Sequence, residues 1–170
     1  MCYPEELYHV LSRGNERKDI FHDDRDRLTF TDAIGQMADN YDVDIFAYVL
    51  MSTHYHILLS TNRANLSKSM QWLALTYTRR FNNRHIRSGH LFQGRFKNII
   101  VENDVYLMRF SCYIHRNPLR AGIVSRLVEY PWSSYKGYAY GDKAPDWLMT
   151  DLFIEKRPDN DVWNGLYCTP

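Results

Sequence analysis

Residues 44–60 read DIFAYVLMSTHYHILLS, and this stretch decides the fold. Asp44 to Met51 is an apolar run of strand length. His54 to Ser60 is another, and only Ser52 and Thr53 separate the two. So short a gap predicts an antiparallel hairpin. Successive side chains of a strand alternate between its faces, so the second arm carries His54 and His56 on the same face.

On the N-terminal side, Tyr8 to Arg13 (YHVLSR) is rich in strand formers and stops at Gly14-Asn15. Asp23 and Asp24 can cap a helix running to about Tyr41, with Leu28, Phe30, Ile34 and Met37 as its apolar positions. On the C-terminal side, Ser67 to Asn83 reads as a second helix. The loop RHIRSGHLFQGRF (84–96) and a short strand, Lys97 to Val101, come next. Asn103 or Asp104 caps a third helix, which Pro118 ends. The order strand, helix, strand, strand, helix, strand predicts an α+β fold. It is a ferredoxin-like split βαβ sandwich, an antiparallel sheet with helices on one face plus a C-terminal extension. Residues 1–140 are expected to form one domain. Residues 141–170 are expected to be an acidic tail packed on or near it.

A chain of 170 residues can bury a core. With 45% hydrophobic and 24% charged residues it has the composition of a globular domain, which excludes disordered and fibrous classes. Cys2, Cys112 and Cys168 show no metal-type spacing, and an odd, scattered set suits a reducing cytosol. The N-terminus lacks a basic-then-apolar signal, and no apolar run approaches the roughly 20 residues that span a bilayer. A cytoplasmic protein without a membrane partner is the expectation. Charge is unevenly spread. Residues 1–60 carry 5 Lys/Arg against 11 Asp/Glu, residues 61–140 carry 13 against 3, and residues 141–170 carry 3 against 6. The basic middle third is a candidate footprint for a polyanion, unless the acidic ends fold back and neutralise it.

His54 and His56 can share one metal ion or one phosphate. The same spacing also fits two half-exposed strand histidines with no ligand. No other histidine repeats it, and no third Cys, His or carboxylate stands out as a zinc ligand. Two imidazoles completed by oxygen ligands suit Mg²⁺ or Mn²⁺ better. In the third helix, Tyr113 and Asn117 lie four residues apart on one face, which Tyr106 and Phe110 extend. Val105, Met108 and Cys112 form a neighbouring apolar stripe. Asn117 can cap or turn the chain before Pro118, or offer its carbonyl oxygen to a hard metal. By periodicity alone Tyr113 reads as a half-buried packing tyrosine, one of thirteen.

Together the segments YHVLSRGNERKDIF (8–21), AYVLMSTHYHILL (47–59), GHLFQGRFKNIIVEND (89–104), YIHRNPLRAGIV (113–124) and YPWSSYKGY (130–138) resemble the REP-associated tyrosine transposases. These are relatives of the single-tyrosine transposases of the smallest bacterial insertion sequences. The resemblance implies that His54 and His56 form the family's HUH metal site, that Asn117 is the third ligand and that Tyr113 is the nucleophile. It also implies single-stranded, hairpin-forming DNA as substrate, handled by a monomer or a homodimer. One departure is visible: the family often has Pro-Asn where this chain has Ser52-Thr53.

Such a site would cut one strand by tyrosine attack, leaving a 5′-phosphotyrosine and a free 3′-OH. A phenol with a pKa of about 10 is protonated at neutral pH, so it needs activation by a metal, a water or a base. His115, two residues on, points to another helix face and is not that base. Bond energy stays in the phosphotyrosine, so no nucleotide cofactor is needed, and no GxxxxGK[ST] loop is present. Arg13, Arg79, Arg80, Arg95, Lys97, Arg116 and Arg120 are the candidate DNA contacts, with Arg84 and Arg87 beside them. Trp72, Tyr77, Phe81, Phe92 and Phe96 interleave with these cations, and most of the rings are expected in the core. The alternative function is a domesticated hairpin-DNA-binding protein without catalysis.

Overall fold

The structure is a computed structural model, and it describes residues 6–101, 104–140 and 144–150. Its frame is β1 (Leu7–Arg13), α1 (Asp24–Tyr41), β2 (Val43–Leu50), β3 (His54–Thr61), α2 (Leu66–Arg84) and β4 (Lys97–Val101). Three shorter helices follow: α3 (Asp104–His115), α4 (Asn117–Arg120) and α5 (Tyr135–Tyr140). The sheet runs β2-β3-β1-β4 and every paired neighbour is antiparallel, which is the split βαβ order.

Local chemistry explains the element ends. Asp23 caps α1 by accepting the Asp26 amide at 3.0 Å. Asp42 ends that helix in the left-handed region, at φ 56°, which Asp tolerates. Phe30, Ala33, Ile34, Met37 and Ala38 are buried at helical spacing and hold α1 on the sheet. Leu28 does not belong to that stripe: it is 60% exposed, on the outer side of the helix.

The sheet separates two apolar layers. Tyr8 and Val10 of β1, and Tyr55, Ile57 and Leu59 of β3, point into the core under α1 and α2. Leu58 of β3 and Ala47 and Val49 of β2 point the other way, where Leu107 and Ile114 of α3 cover them. A bulge between Ile45 and Ala47 puts Phe46 into this second layer, so β2 is buried on both faces. Thus α1 and α2 share one face of the sheet and α3 takes the other, while the C-terminal extension wraps the β2 edge, with Leu148 in the first layer and Tyr130 and Tyr138 in the second. The buried stripe of α3 runs through Leu107, Ser111, Ile114 and His115. Cys112 lies beside it, Met108 is half-buried, and the Val105 side chain lies outside the described residues.

The β2 edge is closed by later chain. The Leu50 amide donates to the Trp132 carbonyl at 2.9 Å, and the Met149 amide donates to Ile45 at 2.8 Å. Tyr130 donates its hydroxyl to the Leu50 carbonyl, and Tyr138 to that of Phe46. Residues 144–150 therefore lie along β2, while the rest of the expected acidic tail lies outside the described residues. Asn103, expected as a helix cap, lies outside them too. Among the described residues no helix is long and apolar enough to cross a membrane.

Candidate active site

The site forms where β1, β3 and α3 meet. Register places Arg13 opposite His54, Leu11 opposite His56, and Lys97 opposite Leu11. His9 lies two residues along β1 from Leu11, diagonal to His56 and on the same face. Its Nε2 is 2.9 Å from His56 Nδ1, and the two rings lie edge to edge in nearly one plane, with centroids 5.1 Å apart and 10° between their planes. His54 and His56 do share a face, with ring centroids 5.2 Å apart. The Thr53 hydroxyl is 3.1 Å from His54 Nδ1. Both ring Nδ1 atoms are thus engaged, and each histidine keeps Nε2 for a ligand.

Burial governs the charge of this group. It pushes His56 down to about 3, with the imidazoles of His9 and His54 adding to the effect. It lowers His54 as well, helped by Arg13, and it lowers His9. All three rings are therefore neutral at physiological pH, the state that ligates a metal.

α3 brings Tyr113 over these rings. Its ring lies 6.1 Å from His56 and 6.0 Å from His9, edge-on to both, within one chain. The side chain is 40% exposed, so a DNA strand can reach it. The Arg120 guanidinium sits 5.3 Å from the Tyr113 ring centroid. Asn117 follows one helical turn later. Its Nδ2 donates to the carbonyls of Tyr113 at 3.0 Å and Ile114 at 3.1 Å, which caps the end of α3. That orientation commits the amide nitrogen and leaves the Oδ1 oxygen, a donor suited to a hard cation. Two imidazole nitrogens and an amide oxygen are a coherent donor set for a divalent ion. His115 faces away: it is buried against Ser134, 2.7 Å from its hydroxyl.

The candidate DNA contacts divide. Arg13, Arg79, Arg95, Lys97 and Arg120 are exposed, and Arg116 is half-buried. Arg80 instead pairs with Asp32 at 2.8 Å, and Arg84 bridges Asp23 and Asp26 at 2.6 and 2.5 Å. The acidic first third therefore neutralises part of the basic segment. Among the rings, Tyr77, Phe81 and Phe92 are buried, and Trp72 and Phe96 are half-buried against the core.

A second cluster, His22, Asp26 and His85, has potential ligand atoms within 4.8 Å of one another. Its carboxylate already receives His85 Nε2 at 2.9 Å and the Arg84 guanidinium. With that cation in place it serves as an ion-paired clamp between α1 and α2.

His9 carried no signal of its own in the sequence. A lone strand histidine has no spacing partner, and its link to His56 depends on the β1–β3 register. That register could have been sought by aligning His9 with the HxH strand in the ferredoxin-like strand order.

Residues 2–117 match the family described as Transposase IS200 like. A Haemophilus influenzae protein named as a REP-associated tyrosine transposase is 25% identical over 130 residues, covering 69% of this chain and 74% of that protein. A solved structure of a REP-associated tyrosine transposase bound to a REP hairpin superposes with a TM-score of 0.72 at 18% identity. It covers 88% of this chain and 91% of its own.

Proposed function

We propose, from the premise that this chain belongs to the IS200-like transposase family, that it cleaves and rejoins single-stranded, hairpin-forming DNA with Tyr113 as nucleophile. As a family member it is a DNA-processing transposase. The observation that carries the finer reading is the placement of the exposed Tyr113 ring against His56 within one chain. The relative solved with a REP hairpin has the same fold, which supports hairpin DNA as the partner.

His54, His56 and Asn117 would hold a Mg²⁺ or Mn²⁺ ion, which supplies Lewis-acid polarisation of the scissile phosphate. The chain's own residues do the rest. Tyr113 gives up its phenolic proton and its oxygen bonds to phosphorus in line, while the bond from phosphorus to the 3′ oxygen breaks. The departing 3′ oxygen takes a proton, leaving a free 3′-OH and a 5′-phosphotyrosine. A second 3′-OH attacking that phosphotyrosine reverses the step and joins strands. Arg120, whose guanidinium lies over the Tyr113 ring, steadies the ring and puts positive charge beside the incoming phosphate. His9 holds His56: with His56 ligating through Nε2, its Nδ1–H donates to His9 Nε2.

The test is a hairpin-flanked single-stranded oligonucleotide incubated with protein and Mg²⁺ or Mn²⁺, then resolved on a denaturing gel. A covalent adduct is expected, and Tyr113→Phe should abolish it while hairpin binding survives. An adduct that persists in the variant removes Tyr113 from this role. Tight binding without an adduct in either metal would make the chain a hairpin-binding protein without catalysis.

A further inference from the structure

His22, Asp26 and His85 meet where the start of α1 lies against the end of α2. Asp26 is buried on the first turn of α1, and His85 follows the last residue of α2. His22 stands exposed just before Asp23, the α1 cap. The His22 and His85 rings meet edge-on, with centroids 4.5 Å apart. His85 Nε2 lies 2.9 Å from both carboxylate oxygens of Asp26. One ligand atom from each of the three side chains falls within 4.8 Å of the other two. The ligands of a tetrahedral zinc ion, bound at about 2.0–2.1 Å, sit about 3.4 Å apart. Asp26 and His85 are already close to that spacing, and a turn of the exposed His22 ring completes it.

The surroundings suit an ion. The His22 backbone amide donates to Asp26 Oδ2 at 2.8 Å, and Arg84 donates to Asp26 Oδ1 at 2.5 Å. Arg84 in turn donates to both carboxylate oxygens of Asp23, at 2.7 and 2.6 Å. Each carboxylate oxygen has two lone pairs, so these bonds orient Asp26 and leave it room to ligate. Two carboxylates against one guanidinium also leave the group net negative, which offsets repulsion between Arg84 and a cation. The ring nitrogens of His22 make no hydrogen bond among the described residues, and neither does Nδ1 of His85. His85 can therefore carry its proton on Nδ1 while Nε2 ligates. Two imidazoles and one carboxylate, with water in the fourth position, form a donor set for Zn²⁺ rather than Mg²⁺. The catalytic histidines are elsewhere. Alternation along β3 puts His54 and His56 on the α3 side with Leu58, whereas α1 and α2 cover Tyr55 and Ile57.

The geometry points to a second metal site, across the sheet from the first, in which His22, Asp26 and His85 bind Zn²⁺. It is independent of the cleavage reading. The ion ties the segment ahead of α1 to the end of α2, and Arg84 becomes the group that holds its carboxylate ligand in place. The basic loop 84–96 leaves from this point, through Ile86 at φ 50° and Arg87, whose guanidinium lies 5.6 Å from the Phe81 ring centroid. A bound ion therefore fixes where that loop departs.

The test is equilibrium dialysis of the full chain against Zn²⁺ in excess Mg²⁺, with bound zinc counted by mass spectrometry. His22→Ala removes a surface ligand and keeps the backbone amide that holds Asp26. It should lose one equivalent of zinc, both in the wild type and in a His54→Ala background that cripples the catalytic pair. His22→Cys, which supplies a thiolate ligand, should restore that equivalent, a recovery that a purely structural role for His22 would not give. Saturating Zn²⁺ should also raise Tm by about 5 °C in the wild type and His22→Cys, and leave His22→Ala unmoved. Unchanged zinc content in His22→Ala overturns the proposal. So does a wild type that binds no zinc, or an equivalent that disappears with His54→Ala alone, which would belong to the catalytic histidines. Loss in His22→Ala without recovery in His22→Cys overturns it as well, because His22 would then act only by packing.

Discussion

The Nε2 atom of His9 lies 2.9 Å from Nδ1 of His56, and the two rings are nearly coplanar. One proton serves this contact, and its position sets the His56 tautomer. With the proton on His56 Nδ1, His56 Nε2 is free to ligate. With it on His9, the Nε2 of neutral His56 carries hydrogen and cannot. His9 Nδ1 is buried without a hydrogen-bond partner, so His9 has little else to do with its polarity. Replacing His9 with Phe keeps the ring and removes the acceptor. Mn²⁺ affinity by titration calorimetry should fall about 10–100-fold. His9→Gln, which restores an acceptor oxygen, should recover part of it. Wild-type affinity in the Phe variant would show that His9 only packs.

The Arg120 guanidinium lies over the Tyr113 ring, 5.3 Å from its centroid, and Arg120 is exposed, so its removal should not disturb the core. An exposed cation–ring contact contributes about 1 kcal/mol. Arg120→Ala should therefore slow adduct formation about fivefold or more, with no change in melting temperature. Arg120→Lys should recover less than a charge-only role predicts, because an ammonium does not stack as a guanidinium does. Full recovery by Lys would reduce Arg120 to a phosphate contact.

Much of this site was legible because strand periodicity is local. The H-x-H spacing alone put His54 and His56 on one face, and the hairpin signal placed that strand in the sheet. Tyr113 stood out as a candidate nucleophile through resemblance, since helix spacing could not separate it from a packing tyrosine. What stayed hidden depends on distant chain. Periodicity shows that α3 has an apolar stripe, not which sheet face it covers. Arg80 and Arg84 looked like free cations because Asp32, Asp23 and Asp26, which hold them, lie 48 to 61 residues upstream. Leu28 fitted the apolar pattern of α1 loosely, but its angle around the helix puts it outside the buried stripe.

That clamp between α1 and α2 predicts a pH dependence. Burial pushes the Asp26 carboxyl up, but hydrogen bonds from His85, the His22 amide and Arg84 more than reverse this, leaving it below its ordinary value. A lowered folded pKa adds stability above the unfolded value, and this is lost as pH falls through the folded one. Asp26→Asn should cost about 2–3 kcal/mol at neutral pH, or roughly 5–10 °C in Tm. The gap from wild type should be full above about pH 5 and narrow below about pH 4. A gap that is constant down to acid pH would contradict the ion-pair account.

Gly14 links the end of β1 to the turn before His54. Its amide donates to the Thr53 carbonyl at 2.8 Å, and the Thr53 hydroxyl lies against His54 Nδ1. A Cβ at this position would come within 2.1 Å of the Lys18 carbonyl oxygen, a backbone atom that cannot swing aside. Gly14→Ala must therefore move backbone, at a cost of about 1–3 kcal/mol by chemical denaturation. Because the displaced backbone includes the partner of Thr53, the variant should also bind Mn²⁺ more weakly. Gly94→Ala is the control: its cost comes from φ 67° in open space, well along the chain from the histidines. It should lose stability and keep metal affinity. Equal metal affinities in the two variants would mean that the turn at Ser52-Thr53 does not set the position of His54.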